Sequence, residues 1–155
     1  MPTDRALQPR AAATAVVGLS LMLAGCFGSS DEVARVTSPS GKVEAVLVEL
    51  NGGATTDFEY EVFVVPVGES TRRHKRVAFL YGAIRSENAY GVYLRWTTPS
   101  NLTLEYLRAR QEDLLLAHVA VAGEPVSVSL RRGVIDAKAP PGGMLYNLEG
   151  RPDDR

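Results

Sequence analysis

Between Val33 and Leu130 the chain never runs far without residues that reverse a backbone. Ser38-Pro39-Ser40-Gly41, Asn51-Gly52-Gly53, Pro66 with Gly68, the charged loop 69–75, Gly82–Gly91, Thr98-Pro99-Ser100 and Ala122-Gly123-Glu124-Pro125 divide most of it into short pieces. Proline presets φ and glycine accepts positive φ, so such clusters make turns. Pieces this short suit strands rather than long helices. Val33–Thr37, Lys42–Leu50, Phe58–Val65, Arg76–Tyr81, Val92–Thr97, Asn101–Leu107, Leu114–Val121 and Val126–Leu130 carry the β-branched and aromatic residues that strands favour. The pattern predicts a mostly β fold. It would be one small antiparallel meander of about seven or eight strands, barrel-like or folded as a sandwich.

One stretch competes with that reading. Glu105–His118, EYLRARQEDLLLAH, is rich in helix formers. A helix with Tyr106, Leu107, Leu114 and Leu115 inward needs an apolar residue near position 110 or 111, and Arg110 and Gln111 stand there. The broken stripe favours strand–loop–strand. Gly82–Gly91 reads as a longer loop. The tail from Asp136 holds Ala139-Pro140-Pro141-Gly142-Gly143 and reads as loosely ordered over 136–155, with Met144-Leu145-Tyr146 docking briefly.

The N-terminus carries a different signal. Arg5 and Arg10 precede Ala11–Leu23, which is apolar apart from Thr14, Gly18 and Ser20. The run is shorter than the roughly 20 residues that a spanning helix needs. A charged start, a short apolar run and small residues at its end describe an export signal. Gly25-Cys26-Phe27-Gly28-Ser29-Ser30 stops a helix and opens a loop.

Leu23-Ala24-Gly25-Cys26 resembles the lipobox of bacterial lipoproteins. The resemblance covers residues 1–26. It implies a signal peptide over 1–25 and Cys26 as the first mature residue, carrying a thioether-linked diacylglycerol and an N-acyl chain. One acyl chain gives marginal membrane binding, whereas two or more hold firmly. Phe27 follows the cysteine where an inner-membrane protein typically has Asp. The resemblance therefore implies an exported, membrane-anchored protein, on the periplasmic face of the outer membrane if the cell is Gram-negative. Residues 26–32, CFGSSDE, would form the tether, and 33–135 the β domain. A second resemblance lies in SPSGKVEAVLVELNGGATTDFEYEVFVV, most specifically Gly52–Phe58. This stretch is similar to small exported bacterial proteins of unassigned function, and it implies an exported single domain with no stated activity.

Composition narrows the chemistry. The chain has 17 basic and 18 acidic residues, a formal charge of −1. Loss of Arg5, Arg10 and Asp4 with the signal would leave 15 and 17, a charge of −2. Such a balance gives no pull toward nucleic acid. Cys26 is the single cysteine, so no internal disulfide forms and the core alone must hold the fold. A lipidated sulfur also supplies neither a metal ligand nor a nucleophile. The sequence contains no G-x-S-x-G elbow, H-E-x-x-H, S-x-x-K or phosphate-loop motif. His74 and His118 are far apart and lack local ligand spacing.

Two charged clusters remain. Pairing Lys42–Leu50 with Phe58–Val65 so that Leu50 opposes Phe58 puts Val46, Val48 and Leu50 on the core face with Tyr60 and Val62. Glu49, Glu59 and Glu61 then crowd the other face, with Asp57 at the loop end. Such a set could hold Ca²⁺, which takes carboxylate oxygens, or form a solvated rim. The arrangement depends on register, because a one-residue slip exchanges the faces. Asn51–Asp57 offers exposed amides and hydroxyls, either an anion nest or a loop serving its own backbone. Arg72, Arg73, Lys75 and Arg76 form the basic cluster, suited to anionic headgroups or to a solvated loop. Trp96 shares parity with Val92 and Leu94 and reads as core. The chain is thus expected to be a lipid-anchored envelope protein acting as a binding or interaction module, with an envelope protein as a candidate partner. The alternative is an envelope hydrolase with a dispersed site.

Overall fold

The computed structural model describes residues 28–149. Residues 1–27, with the expected signal peptide over 1–25 and the expected lipid site Cys26, and the end of the tail at 150–155 lie outside the described residues. The described chain is mostly strand, as the turn spacing predicts. Its strands are β1 (Ser29–Thr37), β2 (Val43–Asn51), β3 (Glu59–Pro66), β4 (Arg76–Tyr81), β5 (Ile84–Ser86), β6 (Ala89–Tyr90), β7 (Tyr93–Thr98), β8 (Asn101–Tyr106), β9 (Gln111–Leu114), β10 (His118–Val121) and β11 (Glu124–Arg132). One short helix follows, α1 (Met144–Glu149).

These strands form a five-stranded sheet, β1-β2-β3-β4-β9, and a four-stranded sheet, β10-β11-β8-β7. β5 and β6 pair separately, inside the stretch expected to be loop. The two larger sheets share one core and do not join into a closed barrel. Val43, Leu47, Tyr60, Val62 and Leu80 of the first meet Leu94, Leu102, Leu104, Val126 and Val128 of the second. At one open side, the Trp96 indole N–H of β7 donates to the Val36 carbonyl of β1 at 2.9 Å.

β1 to β4 follow one another as an antiparallel meander, and the later strands depart from that order. After β4 the chain forms the β5–β6 ribbon and the β7–β8 hairpin, then returns as β9 to pair with β4. β11 pairs with β8 in parallel, Ser127 opposite Asn101 through Arg132 opposite Tyr106. Glu105–His118 is not helical, as the broken stripe predicts, but β9 occupies part of the expected loop and the expected strand Leu114–Val121 is split at 115–117 between β9 and β10.

β1 begins at Ser29, so residues 29–32 belong to the sheet and not to a tether. A bulge between Glu32 and Ala34 interrupts its pairing with β2 and leaves Val33 buried in the core. The segment after β11 is also ordered. Gly133 and Val134 amides donate to the Leu107 and Tyr106 carbonyls, and the Asp136 amide to that of Arg85. Met144 of α1 packs in the core.

The β2–β3 register differs by one residue from the expected pairing. Leu50 opposes Glu59, Glu49 opposes Tyr60 and Val48 opposes Glu61. The core face of β2 is therefore Val43, Ala45 and Leu47, while Val46, Val48 and Val65 form a second buried cluster on the other face. Strand β2 is apolar at both parities, so alternation alone did not fix its inward face.

Candidate functional site

The slip in register separates the acidic residues. Glu49 lies on the core face, 2% exposed. Its carboxylate accepts from the Tyr60 hydroxyl at 2.7 Å, the Met144 amide at 2.8 Å and the Leu145 amide at 3.4 Å. Burial, with the Glu49 carboxylate beside it, pushes the Tyr60 hydroxyl far above the ordinary phenol range. Glu59 and Glu61 lie on the opposite face, and Glu61 pairs with Arg76. Asp57 pairs with Arg110 Nε at 2.8 Å. The expected cluster of Glu49, Asp57, Glu59 and Glu61 is therefore not assembled. Among the described residues, no group of three His, Cys, Asp or Glu side chains is arranged to hold a metal.

The Asn51–Asp57 loop serves its own backbone. Asn51 Oδ1 accepts from the Gly53 amide at 2.9 Å, and the Gly53 carbonyl accepts from the Thr56 amide at 3.2 Å. In the basic loop, Arg72, Arg73 and Lys75 are exposed, while Arg76 also lies over the Phe79 ring, 5.2 Å from its centroid. His74 approaches Glu69 at 3.0 Å, and His118 Nδ1 lies 3.2 Å from Ser127 Oγ. The two histidines thus serve different loops and strands.

A cleft of about 450 Å³ lies elsewhere, against the outer face of the second sheet. Tyr93 and Arg95 of β7 and Glu105 of β8 reach it from the sheet. They point outward because their neighbours Leu94, Leu104 and Tyr106 fill the core. Val134–Asp136 and Lys138–Pro140 supply the facing wall. Asp136 shapes that wall: its Oδ1 accepts from the Lys138 amide at 3.1 Å and its carbonyl from the Ala139 amide at 3.1 Å.

Arg85 of β5 also lines the cleft and is 9% exposed. Gly91 permits its position. A Cβ at Gly91, whose φ is 122°, would come within 3.4 Å of Arg85 Nε and 2.5 Å of Met144. Arg85 Nη1 stands 3.5 Å from Asp136 Oδ2, beyond a normal hydrogen bond, and Nε has no partner. On the sheet side, Glu105 is 4% exposed and accepts from Arg131 at 3.1 Å and Arg95 at 3.5 Å. Across the cleft mouth, Tyr93 is 50% and Ile135 66% exposed. A second cleft of about 310 Å³, between β1 and β7, shares Arg85 and Tyr93 with the first.

The arrangement offers under-partnered guanidinium donors beside apolar walls, which suits capture of a ligand. Its lining residues include no serine, cysteine or histidine. Sequence reasoning missed this site. Arg85 lies in a stretch read as loop, and Ile135 and Lys138 flank or enter a tail read as loose. The alternation of Tyr93-Leu94-Arg95-Trp96 was the one available signal, marking two outward residues on a strand. Comparison of the chain with protein-family models, curated proteins and solved structures finds no match.

Proposed function

We propose that this chain is a lipid-anchored cell-envelope protein whose β domain is a binding module. The lipobox Leu23-Ala24-Gly25-Cys26 supports the anchor. The observation that carries the module reading is the cleft, where buried Arg85 meets exposed Tyr93 and Ile135. Its lining sets Arg85, Arg95, Glu105, Asp136 and Lys138 among apolar residues, and a concave site where polar groups converge on apolar walls is a usual form of ligand site. No nucleophile–base pair lines it, so binding accounts for its composition better than hydrolysis does.

On this reading Phe27 directs the protein to the outer membrane of a Gram-negative cell. Cys26, Phe27 and Gly28 are all that separates the lipid from β1, a span of roughly 10 Å at most. The end of the sheet bearing Ser29 and the Asn51–Asp57 loop then faces the bilayer. The basic loop lies at the other end, beyond the pairing of Thr37 with Glu44 and of Val43 with Pro66. Headgroup contact by Arg72, Arg73, Lys75 and Arg76 is thus not part of this reading. Metabolic labelling tests the anchor. Wild type should incorporate labelled palmitate, and Cys26→Ser should remain unlabelled precursor. Palmitate on the Cys26→Ser protein would show the lipobox reading to be wrong.

A further inference from the structure

We infer that the cleft binds a small organic anion, a carboxylate carried on a compact apolar body. This rests on the reading of the domain as a binding module, and it names that module's ligand class. Arg85 supplies the first argument. A guanidinium has five N–H donors in a planar fork. Here it is nine-tenths buried with Nε sealed inside, the Asp136 carboxylate is 3.5 Å from Nη1, and among the described residues no side chain engages its Nη donors at hydrogen-bond distance. Buried donors left without acceptors are unfavourable, and a carboxylate satisfies two at once.

The charge around Arg85 favours one added negative group. Asp136 half-engages Arg85, while Glu105 is occupied by Arg95 and Arg131. Lys138 also lines the cleft, and no carboxylate among the described residues lies within ion-pairing distance of it. An anion reduces this surplus of positive charge without displacing an existing bond.

The walls set the rest of the ligand. Tyr93 and Ile135 are large side chains left half or more exposed at the mouth, with Val134, Ala139 and Pro140 continuing the apolar surface. Inorganic phosphate would use the cations and leave this surface wet. A body the size of one aromatic ring or a short acyl chain fits a 450 Å³ cleft and covers it.

Equilibrium dialysis of radiolabelled phenylacetate against the full mature protein in lipid nanodiscs tests the assignment, with protein-free nanodiscs as the blank. Saturable binding at about 1 mM or below is expected. Phenylacetamide, which keeps the ring and lacks the charge, should not compete, and inorganic phosphate should compete weakly. Arg85→Gln should abolish binding. Because that change removes a buried charge, Ile135→Asp gives an independent reading: the residue is 66% exposed, and the variant should weaken binding by about tenfold or more. No saturable binding by wild type, competition by phenylacetamide equal to phenylacetate, or unchanged binding by Ile135→Asp each overturns the proposal. A lipidated protein that ignores phenylacetate removes the ligand class and leaves the anchor standing. An unlipidated protein that binds it does the reverse.

Discussion

A carboxylate that is 2% exposed, as Glu49 is, would be costly without donors. Tyr60 and the amides of Met144 and Leu145 supply three. Glu44, 7% exposed, is held in the same way by the Gly68 amide, Arg35 and Thr37. Those bonds, the Gly68 amide first, outweigh burial and hold the Glu44 carboxyl below its ordinary value of 4.5. The direction fixes a pH dependence. Below the ordinary value the unfolded chain takes up a proton before the folded one does, so stability falls as pH falls. The Glu44 contribution is therefore complete above about pH 4.5 and lost as pH drops through the lower folded value. Glu44→Gln should be less stable than wild type at neutral pH, and the gap should narrow at acid pH. Urea midpoints for both proteins across that range read this directly. A gap that is constant with pH would mean that the charge on Glu44 contributes nothing.

At the scale of elements, glycine separates two causes of strain. Gly123 sits in the β10–β11 turn with φ 78° and open space around it. Gly91 precedes β7 with φ 122°, and a Cβ there meets Met144 at 2.5 Å. Gly123→Ala should cost about 1 kcal/mol, the conformational term alone. Gly91→Ala adds overpacking against α1 and the core, so its cost should be about 2 kcal/mol or more. Thermal melts of the two variants check the order, and an equal loss would show that Met144 moves aside freely. The same scale shows what was legible. The expected bounds of Arg76–Tyr81 match the observed strand, because a charged run precedes it and Gly82 follows. The inward face of β2 was not legible, because Val46 and Val48 are as apolar as Ala45 and Leu47. Nothing local announces that β8 pairs in parallel with β11, since that contact joins strands across two intervening elements. The cleft was hidden for a related reason. Arg85 and Ile135 are brought together by the Asp136–Arg85 backbone bond, a long-range contact with no periodic trace.

For the whole molecule, a lipid on Cys26, as proposed above, leaves a short link to the sheet that decides orientation. β1 extends from Ser29 to Thr37, about 26 Å at strand rise, so its two ends sit at very different heights above a bilayer when the sheet stands upright. Screening at physiological salt acts over roughly 8 Å. Charges on the Thr71–Arg73 turn, at the far end, then contribute little to headgroup attraction. At the near end the exposed Arg108 and Arg110 are already engaged with Glu87 and Asp57, so on the proposed reading these charges add little to the hold of the lipid. A lipidated Cys26 has no free thiol, and the chain has no other cysteine. Ala54→Cys and Arg72→Cys therefore each give one labelling position, both exposed. A fluorophore at 54 should be strongly quenched by a headgroup quencher in nanodiscs, and one at 72 hardly at all. Equal quenching at the two positions would lay the domain flat on the membrane and return the basic loop to contact with it.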